Sequence, residues 1–568
     1  MRLWEYLLAG AAVAWAALNW RRNRRGDRTH AWLGWAAVAA GAAKLWLASG
    51  QAQYALPADP YDDRLFLRLA TYLLQGRWLG PYDELTLAKG PFYPLFLAAS
   101  STLRLPITVA QNLLYIAAAW LLVLALRPLR LRGWLRLLLL LAILLCPALA
   151  DTGAFVRAWR QAVWPSLVLL SFAGTAGLSL RMEAGARSRA AWSLLLGLSL
   201  GAVWLDREEA AWVLPMLAFP LVFAALRSGR LTSLVWLCAP FAIAALCVSA
   251  VALQNFRAYR FGGIVEFRDD AFVSAYGAIS RVEPHDSVRR IPVTWAARER
   301  IYAVSPAFSS LRGELEGGIG ASFMKVTQDW TGIPASEHEI GGGWMIWALR
   351  AAVANTGHAH SAPEARAFYA QLAREVNAAC DDGRLPAGPQ RRTLRPVWPP
   401  GGAAAAWRSA CRAYRLIRTC PYRIRPIASI GSPEDLAWVE RITGEPVAPA
   451  NRQAAAAMAG PRRLAVLGWT LWAYRATMPW LLPSAGVLWC LSLARGLRRR
   501  ELSLPWVLAG AILLGIVGNL AVVALVDALS FGAVNPGYLG ASVPLAVAFV
   551  GIVLAEWAGI ALESRWSG

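Results

Sequence analysis

Two neighbouring carboxylates, Asp62 and Asp63, stand directly before a segment with helical periodicity at 64–76. Carboxylates in such a place can take a proton from a hydroxyl group, or they can simply cap the helix that follows. Lys89 lies further along the same hydrophilic stretch, and a cation can stabilise negative charge that develops on an oxygen during a reaction. The stretch therefore combines candidate bases with a candidate anion-binding group, and helix capping is the alternative for the aspartates.

A second charged group, Asp206-Arg207-Glu208-Glu209, lies between two strongly apolar segments. Four charged side chains between two membrane spans are costly unless they face a polar cavity. Arg207 is a further candidate for binding an anion, and Glu208 and Glu209 are candidate supporting acids. A hydrated turn between two helices is the alternative interpretation.

The apolar segments around these groups indicate a membrane protein. Of the 568 residues, 57% are hydrophobic and 16% are charged, which is too little charge to cover a soluble protein of this length. The net charge of +22 could suggest a nucleic-acid partner, but most arginine clusters lie at the ends of apolar stretches. Cytoplasmic loops of membrane proteins have this pattern. We therefore predict residence in a membrane and no nucleic-acid partner.

A membrane span needs roughly 20 apolar residues. By this measure the sequence predicts an all-α polytopic membrane protein with about eleven spans. The predicted spans are 4–20, 31–49, 107–126, 134–150, 163–180, 191–205, 210–226, 232–253, 474–494, 504–526 and 540–560.

The basic run at 21–28 predicts the orientation of the chain, because such runs stay in the cytoplasm. The N-terminus is then outside and the C-terminus is cytoplasmic, in a plasma (inner) membrane. Segment 90–103 is apolar, but counting it as a span would move the arginines of 127–136 outside. We therefore place 90–103 along the outer membrane face or within the outer loop.

This topology divides the chain into three parts. They are an N-terminal transmembrane module at 1–253 with a first outer loop at 50–106, a mixed extracytoplasmic domain at 254–466, and a C-terminal transmembrane module at 467–568. In the outer domain, three glycines lead into an aromatic-rich helix that begins with Trp344. They could form a flexible lip over a site or a tight junction packed by tryptophans, and we favour the junction.

The first outer loop resembles that of the GT-C superfamily of membrane glycosyltransferases. The acidic pair precedes an amphipathic helix that can lie in the membrane interface, Gly76-Arg77-Trp78 follows, and Lys89-Gly90-Pro91 opens the next apolar segment. The resemblance is to bacterial family-39-like members, relatives of protein O-mannosyltransferases and of the aminoarabinose transferase of lipid A. This chain departs from the pattern by the glycine between lysine and proline.

Three further elements carry the same resemblance. Arg157-Ala-Trp-Arg160 opens the fifth span, the group Asp206 to Glu209 follows the small hairpin, and Asn535-Pro-Gly-Tyr538 lies near the C-terminus. Together with the first loop they cover roughly residues 30–270 and 470–560. The large outer domain is not explained by the resemblance.

The resemblance implies transfer of a sugar, with inversion, from a polyprenyl-phosphate donor to an extracytoplasmic lipid, glycan or protein. Asp62 or Asp63 would be the general base. Lys89, Arg207 and, less directly, Arg160 would bind the donor phosphate.

A polyprenyl-phosphate sugar already has a good leaving group, so no general acid is needed, and we expect no required cofactor. Some members of the superfamily use a divalent metal, and carboxylate oxygens suit such an ion. A metal is therefore left open, with no residue assigned to it. Two other classes compete with the enzyme. One is a transporter or flippase of a lipid-linked substrate, which would predict inverted repeats and broken helices; the other is a non-catalytic assembly protein.

Overall fold

The computed structural model describes residues 28–129, 131–207, 209–229, 232–283 and 290–566. Within these ranges the chain is helical, with three isolated β-bridges and no strand. The predicted all-α fold is therefore confirmed. The predicted span 4–20 and the candidate acid Glu208 lie outside the described residues.

Eight helices of the described chain are long and apolar enough to cross a membrane. They are Ile107–Leu129, Arg160–Ser179, Ala186–Asp206, Ala210–Ser228, Ser233–Tyr259, Pro461–Arg499, Leu504–Leu529 and Pro536–Ala558. Each coincides with a predicted span, and the chain is a polytopic membrane protein. The predicted spans 31–49 and 134–150 also contain helices, Arg28–Ala48 and the shorter Gly133–Leu144. The total of eleven spans stays a prediction.

The remaining α-helices belong to the loops, to the outer domain and to the last span. They are Asp63–Leu74, Phe92–Thr102, Thr152–Phe155, Asp270–Ile279, Trp295–Tyr302, Pro306–Ser309, Arg312–Glu316, Gly318–Thr331, Trp344–Asn355, Ala362–Asp381, Gly402–Thr419, Pro433–Thr443, Arg452–Met458, Pro536–Leu539 and Ser542–Trp566.

The helix predicted at 64–76 is present as Asp63–Leu74, and protein covers its apolar face and part of its polar face. Its apolar side, which includes Leu65 and Phe66, is fully buried in the main hydrophobic core. On the polar side, the indole Nε1 of Trp438 donates a hydrogen bond of 3.1 Å to the hydroxyl of Thr71. The helix is therefore held inside the protein, whereas the sequence suggested an apolar face resting on lipid.

Segment 90–103 forms the helix Phe92–Thr102, which has 11 residues. At about 1.5 Å per residue this helix is roughly 16 Å long, about half of the hydrocarbon thickness. It is too short to cross the membrane, in agreement with its placement in the outer loop.

Two hydrophobic cores organise the described chain. One joins the membrane-spanning helices, and the other is formed by residues between 272 and 385. The helix Gly402–Thr419 belongs with the first core, because Ala413, Leu416 and Ile417 are buried in it. The hydroxyl of Ser409 also donates to Asp527 Oδ2 at 2.6 Å. The domain boundaries at 254 and 466 stay a prediction.

All seven cysteines lie among the described residues, and none forms a disulfide. Cys420 is buried, with its Sγ 3.4 Å from the carbonyl oxygen of Ile417. Cys380 and Cys411 are likewise free thiols. The outer region is therefore held by packing and ion pairs.

Candidate active site

Asp62 precedes the helix Asp63–Leu74 but does not cap it, since its side chain makes no capping hydrogen bond. Its carboxylate is instead paired with the ammonium group of Lys89. The same ammonium group donates a hydrogen bond of 2.6 Å to the carbonyl oxygen of Tyr61. The side chain of Asp62 is 26% exposed. One of the two predicted aspartates is thus oriented by a cation and remains accessible.

Asp63 is fully buried and engaged on both oxygens. Arg157 Nε donates to Oδ1 at 2.7 Å and to Oδ2 at 2.9 Å, and the backbone N–H of Leu56 donates to Oδ2 at 2.9 Å. The other arm of Arg157 reaches Asp59 Oδ2 at 3.2 Å. Asp63 therefore holds the first outer loop to the segment before the span Arg160–Ser179, and a substrate could not reach it without disrupting this pair.

The two aspartates also differ in their titration. Burial raises the pKa of Asp63 to about 7, although Arg157 acts in the opposite direction. Burial alone would also raise the pKa of Asp62, but the attraction of Lys89, Arg157 and Arg160 outweighs it and lowers that pKa below its ordinary value. Asp62 is therefore the carboxylate that stays ionised and able to accept a proton at neutral pH.

Arg207 follows the helix Ala186–Asp206 and is buried, with 2% of its side chain exposed. Its Nη1 donates to Glu209 Oε1 at 2.7 Å. The guanidinium group lies 4.9 Å from the ring centre of Trp164 and 5.6 Å from that of Tyr538. Its buried Nε and Nη2 have no hydrogen-bond partner among the described residues. Because buried donors are nearly always paired, this group is suited to an anionic ligand.

Glu209 fixes the orientation of that guanidinium group. Burial opposes ionisation of its carboxyl group, but Arg207 and Arg160 together lower its pKa to about 2. Glu209 is therefore a permanent anion, as its predicted supporting role requires. The adjacent Glu208 lies outside the described residues.

Arg160 connects the two halves of the site. Its Nη1 donates to the carbonyl oxygen of Asp206 at 2.7 Å, and its charge lowers the pKa of both Asp62 and Glu209. The structure thus brings together the described members of the predicted set. They are Asp62, Asp63, Lys89, Arg160, Arg207 and Glu209.

The outer domain contributes one wall of the site. The ring of Trp347 lies 4.6 Å from that of Tyr61, and its centre is 5.5 Å from Lys89 Nζ. Tyr61 also stacks on Phe323 at 5.5 Å. The helix Trp344–Asn355 therefore covers the residues next to Asp62.

The glycines before this helix form a tight junction, as favoured from the sequence. Gly342 has a φ of +49°, and a Cβ atom added there would lie 2.4 Å from the carbonyl oxygen of Ser530. Further along, the buried Arg350 donates to Glu266 Oε2 at 2.7 Å and to the carbonyl oxygens of the loop at 83–86. The outer domain and the first loop are thereby joined firmly.

Several residues of the site were given no role from the sequence. Arg157 belongs to the motif that opens the fifth span, and nothing in the sequence assigns a ligand or partner to Asp59, Tyr61 or Trp347. A signal for Arg157 was present, because a charged residue at the mouth of an apolar span needs a polar partner, as Arg207 does. For the aromatic pair no local signal exists, since the two residues are far apart in the chain.

The described carboxylates do not form an evident metal site. Among the described residues, no three histidine, cysteine or acidic side chains converge so that they could hold an ion. Asp62, Asp63 and Glu209 are each paired with a cationic side chain instead. The contacts of these carboxylates are those of acids paired with cationic side chains, and they do not match the ligand set of a divalent ion.

No protein-family model matches this chain, and no curated protein matches it in sequence. Among solved structures, the chain is similar to the crystal structure of ArnT from Cupriavidus metallidurans bound to undecaprenyl phosphate. That similarity has a TM-score of 0.30 and 13% identity, over 94% of this chain and 79% of that one. The apo state of the same protein gives a TM-score of 0.29 and 14% identity, over 92% and 78%. The similarity spans nearly the whole chain.

Proposed function

We propose that this chain is a membrane glycosyltransferase that moves a sugar from a polyprenyl-phosphate carrier to an acceptor hydroxyl on the extracytoplasmic side. The observation that supports it is an accessible, ionised Asp62 within one cluster with Lys89, Arg160 and Arg207, at the ends of membrane spans. Such a cluster offers a proton acceptor for the incoming hydroxyl and cations for the departing phosphate. The acceptor would be a lipid, a glycan or a protein.

In the proposed reaction, the acceptor hydroxyl is hydrogen-bonded to the carboxylate of Asp62. Its oxygen attacks the anomeric carbon of the donor sugar while its proton passes to Asp62. The bond between that carbon and the phosphate oxygen breaks, and its electron pair leaves with the carrier phosphate. Attack from the face opposite the leaving group inverts the configuration at the sugar carbon.

The cations divide into two roles in this proposal. Lys89 is paired with Asp62 and orients the base. Arg207 has unused buried donors and binds the phosphate, held in place by Glu209 and by the rings of Trp164 and Tyr538. Arg160 lies between them and favours negative charge on either side.

Arg207→Gln is expected to lower kcat/KM for the polyprenyl-phosphate donor. Removal of a charge-assisted hydrogen bond costs about 1.5–3 kcal/mol, or roughly 10- to 150-fold in kcat/KM for the donor. The measurement is transfer by purified protein at varied donor concentration. Arg260→Gln, at an exposed position outside the cluster, is the control and should retain activity. An unchanged kcat/KM in Arg207→Gln would remove this residue from the phosphate site.

The rate of transfer is expected to stay level as the pH is lowered from about 7 to 5. A base works in its ionised form, and the pKa of Asp62 lies below the ordinary aspartate value of about 3.9. Protonation of Asp62 therefore begins to slow the reaction only below about pH 5. Rates of transfer measured across this range, with folding checked at each pH, test the expectation. A fall in rate centred near pH 6 or 7 would instead point to a base whose pKa is raised.

The direct test is transfer of radiolabelled sugar from a panel of polyprenyl-phosphate sugars by purified protein. Turnover or slow hydrolysis of one donor would establish the enzyme. Binding of the lipid without turnover of any donor would favour the transporter or the assembly protein. Polar groups within the span Leu504–Leu529 have structural partners, since Asn519 donates to Ser542 at 2.8 Å and Asp527 accepts from Ser409. They offer no specific support for a transport path.

A further inference from the structure

An arginine-lined cavity lies at the end of the helix bundle opposite the candidate active site. The spans Arg160–Ser179 and Ala210–Ser228 begin at the active site, and their last residues line this cavity. They have 20 and 19 residues, so at about 1.5 Å per residue the two sites are roughly 30 Å apart. This separation equals the thickness of the hydrocarbon core, and the cavity therefore lies at the other membrane surface.

The cavity has a volume of about 840 Å³. This is within the range of about 300–1,000 Å³ that small-molecule sites occupy. Leucine and isoleucine side chains line part of its wall, and arginines surround its rim. The arginines are Arg132, Arg181, Arg227, Arg495 and Arg499.

The rim arginines differ in the number of hydrogen bonds and ion pairs that they make with the described protein. Arg181 donates to the carbonyl oxygens of Leu124 and Ala125, and Arg227 lies 4.0 Å from Glu501. The other three, Arg132, Arg495 and Arg499, have no ion pair with a described residue. Glu183, Glu501 and Glu556 also line the cavity, so five arginines are accompanied by three glutamates and the lining carries a net positive charge.

Leucines that neighbour these arginines in the chain are exposed on the surface of the protein. Leu226 next to Arg227 is 77% exposed, and Leu497 in the turn before Arg499 is 64% exposed. Exposed leucines of this kind, on helices that span the membrane, are suited to acyl chains. Exposed leucines thus lie next to rim arginines in the chain, which suits a ligand with an anionic head and hydrocarbon tails.

We propose that this cavity binds the phosphate group of an anionic phospholipid from the membrane leaflet at that end of the bundle. The unpaired arginines would hold the phosphate, while the tails lie against the exposed leucines. Basic pockets between transmembrane helices bind anionic headgroups in this way. A free phosphate ion would use the same arginines but gain nothing from the apolar surface.

The test compares two double variants of the full chain, each lacking two positive charges. Arg495→Gln with Arg499→Gln removes charge from the rim, and Arg498→Gln with Arg500→Gln removes it from neighbouring positions that do not line the cavity. Binding of phosphatidylglycerol and of phosphatidylcholine to purified protein is measured by native mass spectrometry. The rim variant should bind phosphatidylglycerol about five-fold more weakly for each arginine removed, and the neighbouring variant should match the parent protein.

Three results would overturn the proposal. The first is an equal loss of phosphatidylglycerol binding in both double variants, and the second is equal affinity of the protein for the two lipids. The third is that inorganic phosphate abolishes lipid binding at the same concentration in both double variants. Arg132→Gln, at an exposed position, gives a second measurement if the double variant does not fold, and it too should weaken phosphatidylglycerol binding about five-fold. None of these measurements depends on sugar transfer.

Discussion

Asp62→Asn is expected to slow sugar transfer by about 100- to 10,000-fold, the usual effect of losing a general base. Asparagine has nearly the same shape but accepts no proton from the acceptor hydroxyl. Its side-chain oxygen can still accept a hydrogen bond from Lys89, so the first outer loop should keep its conformation. The measurement is transfer by purified protein from the donor found to be active, together with the unfolding temperature.

Asp329→Asn is the matched control for this variant. Asp329 is an exposed aspartate of the outer domain, so the same change of charge there should leave the rate unaltered. If Asp62→Asn folded and transferred sugar at the parental rate, Asp62 would not be the base. Glu209 and the adjacent Glu208 would then be the next carboxylates to examine.

Asp63→Asn is expected to act on stability. Above about pH 7, where Asp63 is ionised, breaking this buried ion pair by removing one partner costs about 3–5 kcal/mol, because the remaining charge is left without compensation. Here the remaining charge is Arg157, which would keep Asp59, at 3.2 Å, as its acidic partner among the described residues. The variant should unfold at a clearly lower temperature and be recovered in lower yield from membranes. The folded fraction should keep a much larger part of its activity than Asp62→Asn does.

The double variant Asp63→Asn with Arg157→Gln distinguishes this explanation from a catalytic role. When both charges are removed together, no buried charge remains unpaired, so the loss of stability should be smaller than the sum of the two single losses. Additive losses would show that the two side chains do not act as a pair. A parental unfolding temperature combined with loss of transfer in Asp63→Asn would identify Asp63 as the base instead.

Much of this fold could be predicted from composition and periodicity, because each span is a local property of about 20 residues. The two charged groups, in the first loop and at 206–209, could also be identified from the sequence. Acids and arginines next to apolar spans cost free energy, so they indicate a function. The choice between Asp62 and Asp63 was not visible. It depends on Arg157, which is 94 residues further along the chain and donates its Nε–H to the carboxylate of Asp63.

The contribution of the outer domain could not be predicted for the same reason. In the sequence, Trp347 looks like any aromatic residue packed on one side of a helix. Its contact with Tyr61 forms only when two distant segments fold together. The helix Gly402–Thr419 did carry a local signal. Its small and apolar residues at 405, 409, 413 and 416 recur at helical spacing, and they are the ones buried in the structure.

The contacts of Arg350 have a consequence for how the protein is made. The Arg350 side chain donates to the carbonyl oxygens of Asp83, Glu84 and Thr86. Glu84 lies 266 residues before Arg350 in the chain. At a synthesis rate of about 5–20 residues per second, roughly 10 to 50 s pass between production of the loop and arrival of its partner. During this interval the nascent first loop lacks the arginine that closes it. The junction between this loop and the helix Trp344–Asn355 would therefore form only late in insertion, when most of the chain has already left the ribosome.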